Sequence, residues 1–200
     1  MNPAARGEMP LAAAVIAGGR SSRMGQDKAF LVCEGRRLLD RQLAALGAVH
    51  PRELLVSGRG GTDYGVTGAK IVLDVEPDQG PLGGIAALLE ATLLPYLLVL
   101  AVDMPLMTTE FLAAMVEQCG PQRGVVPQTA AGWEPLAAVY PREILPRVRT
   151  HLAAGKRSVC RLVDEAWAAG EVAPWEVQPL QECLFANWNR PEEVGGGPVP

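Results

Sequence analysis

The stretch "LAAAVIAGGRSSRMGQDK", Leu11 to Lys28, sets the reading of the whole chain. Its first part, Leu11–Ala17, is short, apolar and rich in Ala, Val and Ile, which predicts a strand covered on both faces. Its second part reverses that chemistry, with paired glycines, paired serines, Arg20, Arg23 and then Asp27-Lys28. A buried strand that opens into a flexible cationic loop begins a βα unit whose loop grips an anion. Gly18 and Gly19 let the backbone approach a ligand with no Cβ in the way, and their N–H groups can turn inward. Arg23 carries a planar fork of donors for phosphate oxygens, and Lys28 a compact positive charge. Asp27 reads as structural, holding the loop or orienting Lys28. Two common phosphate grips are absent. Gly18 and Gly19 are adjacent, so there is no G-x-G-x-x-G, and no Lys-Ser/Thr pair follows Gly25 as a P-loop needs.

Outward from this loop the chain alternates short apolar runs with helical patterns. Glu53–Ser57 and Lys70–Leu73 read as strands, and Tyr96–Val102, apolar throughout, as the strongest one. Leu38–Leu46, Ile85–Leu93 (after a glycine-proline turn), Glu110–Cys119, Pro141–Ala154 and Ser158–Ala168 read as helices, with Thr108 or Thr109 as N-cap of the third. Arg123–Pro127, Pro135–Tyr140, Glu171–Val177 and Cys183–Ala186 read as later strands. The rhythm predicts an α/β fold: a three-layer, doubly wound, mostly parallel sheet of Rossmann-like type. Right-handed crossovers put the ligand crevice beyond the carboxyl ends of the strands.

With 200 residues and 48% of them hydrophobic, the chain suits a single domain over residues 11–194. Residues 1–10 and 195–200 read as disordered tails. A net charge of −4 argues against a nucleic-acid or anionic-membrane partner, so the basic loop has a local task. Cys33, Cys119, Cys160 and Cys183 are scattered with no C-x-x-C pair, which gives neither a disulfide framework nor a zinc site. The first ten residues have no apolar core of signal-peptide type. The longest apolar run, "LLPYLLVLAV", holds a proline and is about half a membrane span. The expected location is cytoplasmic.

"IAGGRSSRMGQDK", Ile16 to Lys28, resembles the signature loop of nucleotidyltransferases that activate a phosphorylated partner with a nucleoside triphosphate. "AGG" followed by "RMGxDK" is similar to the MobA-type molybdenum cofactor guanylyltransferases, where cytidylyltransferases more often carry "AAG". Five downstream stretches extend the likeness in the family's order. "LLVSG" ends on Ser57 and Gly58, with Ser57 where the family often has Asn. "IVLDVEPDQGPLGG" resembles the family's strand, aspartate and G-P-L-x-G turn, and "LLVLAVDMP" its strand ending in the metal-holding aspartate. "WEPLAAVY" resembles the strand on the acceptor side, and "NWNRPEE" the N-x-N-[ST]-P-E ending, with Arg190 in place of the small hydroxyl residue. The likeness spans about Leu11 to Val194.

The resemblance implies a function and a site. GMP would pass from GTP to the terminal phosphate of molybdopterin, releasing pyrophosphate and forming molybdopterin guanine dinucleotide. Ile16, Ala17, Gly18, Gly19, Lys28, Ser57, Asp74 and Asp103 would bind the nucleotide. Asp74 would read guanine, because a carboxylate accepts from both N1–H and the N2 amino group. Lys28, Arg23 and Asp103 would be catalytic, and Asp103 would hold Mg²⁺, which favours one or two carboxylates with phosphate oxygens and water. Gly80, Leu82, Gly83, Glu134, Asn187 and Asn189 would face the acceptor, with molybdenum-insertion proteins and molybdoenzyme chaperones as further partners. Two alternatives stay open: a molybdopterin cytidylyltransferase or other nucleotidyltransferase, and a non-catalytic nucleotide-binding module.

Overall fold

The computed structural model describes residues 9–17, 27–73 and 79–188. In chain order the elements are β1 (Leu11–Ile16), β2 (Val32–Cys33), β3 (Arg36–Arg37), α1 (Leu38–Gly47), β4 (Glu53–Gly58), β5 (Lys70–Leu73) and α2 (Gly80–Ala91). There follow β6 (Tyr96–Ala101), α3 (Thr109–Glu117), β7 (Gly124–Thr129), β8 (Gly132–Trp133), β9 (Ala137–Pro141), α4 (Leu145–Ala153), α5 (Val159–Ala168) and β10 (Val172–Glu176).

The main sheet runs β10-β7-β9-β6-β1-β4-β5, with β8 paired to β7. β1 pairs in parallel with β4 and β6, β4 with β5, and β10 with β7. β9 runs antiparallel to β6 and β7. This is the expected mostly parallel, doubly wound sheet, with β9 reversed inside it and the short β8 reversed beside β7. β1 and β6 are buried at every position, as their unbroken apolar runs require. Side chains alternate across β1. Ala13 and Val15 join the layer of α1 and α3, whereas Ala12, Ala14 and Ile16 join that of α2, α4 and α5. Leu97 and Leu98 divide in the same way and neither is exposed. Truncating either to Ala removes about 2–5 kcal/mol of core packing.

Local chemistry sets the element ends. Thr108 caps α3, its hydroxyl accepting from Phe111 N at 3.2 Å, and Ser158 caps α5 by accepting from Arg161 N. The β2–β3 hairpin, which the sequence pattern had not shown, turns on Glu34 and Gly35 with φ of 50° and 76°, the two-residue turn that matches strand twist.

Most element ends shift by one to four residues, and three differences have a clear physical reason. The glycine-proline turn is itself the first turn of α2, because proline is tolerated there and fixes a helical φ. Pro141 belongs to β9, and a 3₁₀ turn over Arg142–Ile144 precedes α4. Cys183–Ala186 is not a strand: Pro179–Phe185 is a 3₁₀ helix. Its apolar content is used elsewhere, with Phe185 set edge-on to Phe111 at 5.4 Å while Trp175 stacks on the same ring at 4.6 Å. Residues 1–8 and 189–200 lie outside the described residues, and with them most of the expected N-terminal tail, all of the expected C-terminal one and the last residues of the expected domain; Met9 packs against the core.

Candidate functional site

Four strand ends meet at one edge. Ile16 is in register with Ser57 on one side and Ala101 on the other, and Gly58 with Leu73. The segments after β1, β4, β5 and β6 therefore leave the sheet side by side, where doubly wound folds bind ligands.

Lys28 reaches this edge on a fixed turn. Asp27 accepts from Ala29 N through its carboxylate at 3.1 Å and from Phe30 N through its carbonyl at 3.0 Å. Ala29 is fully buried and anchors the turn. Asp27 thus has the structural part expected of it. Asp103 arrives from the other direction, two residues past β6. Val102 N donates to Ile16 O at 3.2 Å, which carries the parallel ladder one step beyond the strand. Gln42, on α1 and 1% exposed, donates to Met104 O at 2.6 Å and clamps the turn behind Asp103. From the C-terminal segment, Trp188 N donates to Asp103 O at 2.9 Å.

These supports bring Lys28 Nζ to 2.7 Å from Asp103 Oδ2, across 75 residues of sequence. The two side chains are 20% and 21% exposed, enough for a ligand to reach and too little for water to screen the charges fully. The expected catalytic cation and metal carboxylate thus meet.

The other expected site residues divide. Ile16, Ala17 and Ser57 are buried beneath the edge, and Ala17 N donates to Ser57 O at 3.1 Å. Gly80 opens α2 with φ +64°, a conformation that suits glycine. Leu82 is fully buried in the core, so its side chain serves packing. Gly83 is required locally, because a Cβ there would lie 2.5 Å from Gln79 Cβ. Glu134 lies in the segment entering β9, where Leu136 O accepts from Ala101 N at 2.7 Å; it therefore stands at the same sheet edge as Asp103. Asn187 is exposed and precedes the Trp188 anchor on Asp103. Gly18, Gly19, Arg23, Asp74, Asn189 and Arg190 lie outside the described residues.

Electrostatics distinguish Glu134. Burial raises its carboxyl above the ordinary value, the Thr129 hydroxyl bond opposes this, and the charge of Glu182 adds to it. Glu182 is held there by accepting from Ala130 N at 2.9 Å. The four cysteines are free, and burial pushes the Cys119 thiol up to about 12, which removes its thiolate reactivity.

Among the described residues, no three His, Cys, Asp or Glu side chains gather into a metal cage. The donor chemistry still fits Mg²⁺. One half-buried carboxylate, already balanced by a cation, suits an ion that completes its shell with phosphate oxygens and water. Sequence reasoning missed Gln42, Arg59, Glu182 and the Trp188 N–H. Arg59 alone had a signal, standing one residue past a strand end, as Asp74 does. No helix among the described residues is long and apolar enough to cross a membrane.

The MobA-like NTP transferase domain family matches residues 13–169. A probable molybdenum cofactor guanylyltransferase of Deinococcus radiodurans is 36% identical over 188 residues, 93% of each chain. One of Opitutus terrae is 34% identical over 186 residues, 92% of each chain. Among solved structures, molybdopterin-guanine dinucleotide biosynthesis protein A of Archaeoglobus fulgidus superposes with a TM-score of 0.71 at 22% identity, covering 92% of this chain and 94% of its own. That last likeness establishes the fold.

Proposed function

The chain belongs to the MobA-like NTP transferase family, and from that premise we propose that it transfers GMP from GTP to the terminal phosphate of molybdopterin. The observation that carries this reading is the Lys28–Asp103 contact of 2.7 Å at the carboxyl edge of two adjacent parallel strands. The curated relatives are named for the guanylyl reaction, and that name selects guanine over other bases.

The reaction needs no protein nucleophile. An oxygen of the acceptor phosphate, already anionic, attacks the α-phosphorus of GTP in line. The bond from that phosphorus to the bridging oxygen breaks, and pyrophosphate leaves with the electron pair. The work left to the protein is positioning and charge neutralisation. Lys28, fixed by the Asp27 turn, moves its ammonium from Asp103 onto the triphosphate; Arg23 adds a second cation. Asp103, held from behind by Gln42 and Trp188, would hold Mg²⁺, whose chemistry is to offset charge on the phosphates and the departing pyrophosphate. Asp74 reads the N1–H and N2 edge of guanine. Gly18 and Gly19 hold the phosphates, and Ile16, Ala17 and Ser57 form the floor beneath. Gly80, Gly83, the backbone of Leu82, Glu134, Asn187 and Asn189 border the acceptor. The setting is cytoplasmic, with molybdenum-insertion proteins supplying the acceptor and molybdoenzyme chaperones receiving the product.

The test is incubation with Mg²⁺, purified molybdopterin and each of the four nucleoside triphosphates in turn, with the product identified by mass. A guanine dinucleotide from GTP alone is the expected result. A cytosine dinucleotide, or nucleotide binding with no product, would overturn the assignment.

A further inference from the structure

Arg59 is a charged side chain at the crevice that the catalytic pair does not use. It follows directly on Gly58, the last residue of β4. β4 lies between β1, which leads into the glycine loop, and β5, which leads into Asp74. Arg59 therefore leaves the sheet between the segment that would grip phosphates and the residue that would read the base.

Its place is fixed by packing. Arg59 N donates to Tyr64 Oη at 3.0 Å. Tyr64 is 1% exposed, and its ring lies so close on Gly58 that a Cβ there would come within 2.4 Å of it. Phe30 stacks on Tyr64 with centroids 5.9 Å apart and planes within 8°, which ties the Arg59 loop to the Lys28 turn. Burial holds the Tyr64 hydroxyl's proton above its ordinary value; the Arg59 backbone N–H opposes this, the nearby Asp27 carboxylate adds to it, and the Arg59 guanidinium opposes it. The guanidinium thus belongs to the same rim as Asp27 and Lys28.

Among the described residues, Arg59 is the one arginine with a shielded side-chain nitrogen that has no hydrogen-bond partner. Arg37, Arg41, Arg147 and Arg149 each pair with a carboxylate within 2.8 Å. Arg59 Nη2 is shielded from water and has no hydrogen-bond partner among the described residues. A buried charged donor without an acceptor is a cost that folded proteins ordinarily avoid, and a bound ligand is one way to remove it.

We propose that Arg59 determines nucleotide specificity by donating to O6 and N7 of the guanine of GTP. This rests on the guanylyl reading above and adds to it a second reader on the adjoining O6 and N7 edge of the base. A guanidinium matches O6 and N7 with two parallel bonds. Adenine presents an amino donor in place of O6, so donor would face donor, and cytosine has no N7. A phosphate oxygen is the other acceptor a guanidinium takes. Sheet order favours the base: Asp103 follows β6, whereas Arg59 follows β4, on the far side of β1 and next to β5, the strand that leads into Asp74.

The test measures binding of GTP, ATP, CTP and inorganic tripolyphosphate to the wild type, Arg59→Met and Arg59→Lys by titration calorimetry. Methionine keeps the apolar stem; lysine keeps the charge and loses the fork. In Arg59→Met, GTP should weaken about tenfold to a hundredfold while ATP and CTP shift less than about threefold. Tripolyphosphate binding should be unchanged, and Arg59→Lys should recover little of the GTP preference. Equal weakening of tripolyphosphate would make Arg59 a phosphate contact and overturn the proposal. So would an unaltered GTP-to-ATP ratio in a folded variant, or unfolding of both variants, which would make the residue structural. A wild type with no preference for GTP would instead overturn the guanylyl reading itself, and this inference with it.

Discussion

Removing the Lys28 charge should produce two effects of opposite sign. Lys28 Nζ lies 2.7 Å from Asp103 Oδ2, so the ammonium and a divalent ion compete for one carboxylate. Lys28→Met keeps an unbranched apolar stem and deletes the charge. A hydrogen bond between charged groups is worth about 1.5–3 kcal/mol, and with both ends about one-fifth exposed, solvent screening brings this to about 1–2 kcal/mol. At about 1.4 kcal/mol per factor of ten, the freed carboxylate should bind Mn²⁺ roughly tenfold more tightly without nucleotide. Turnover should move the other way and fall about a hundredfold to a thousandfold, because the triphosphate loses a preorganised cation. Electron paramagnetic resonance of free Mn²⁺ measures the first effect, and pyrophosphate release the second. Asp103→Asn supplies the control, losing both metal affinity and turnover. Unchanged Mn²⁺ affinity in Lys28→Met would show that the ammonium does not guard Asp103, and near-normal turnover would remove it from catalysis.

Three further outcomes follow from the geometry. Gly58→Ala drives a methyl to 2.4 Å from the Tyr64 ring. It should destabilise the fold by about 1–3 kcal/mol in urea titration, and a neutral result would mean that the 59–64 segment yields freely. Gln42→Leu leaves the buried Met104 carbonyl without its 2.6 Å donor. About 1–3 kcal/mol of stability should be lost, and kcat should drop through displacement of Asp103; a stability loss with intact kcat would make Gln42 a purely structural clamp. Glu134, raised by burial and by Glu182, binds its proton more tightly folded than unfolded. Its contribution is therefore present below the ordinary value of 4.5 and is lost as pH rises through the folded value. Glu134→Gln should gain thermal stability relative to the wild type as pH rises above that range, whereas a pH-independent difference would contradict the shift.

Composition and periodicity sufficed for the layers. β1 and β6 are apolar at every position because both faces of a central parallel strand are covered, and that pattern is visible without coordinates. β5 matched its expected bounds, and α3 its Thr108 cap, because strand runs and capping hydroxyls are local chemistry. The family and its reaction were also legible, since the Ile16–Lys28 loop and the stretch ending at Asp103 are contiguous in sequence. Contacts between distant segments were not. That Lys28 meets Asp103, that Trp188 anchors the same aspartate and that Arg59 carries an orphan nitrogen all depend on which strands lie side by side, and periodicity does not encode neighbours. Cys183–Ala186 looked like a strand because a short apolar run has the same composition whether it pairs with a sheet or caps a core. Phe111 was waiting for Phe185, and only the folded chain brings those two rings together.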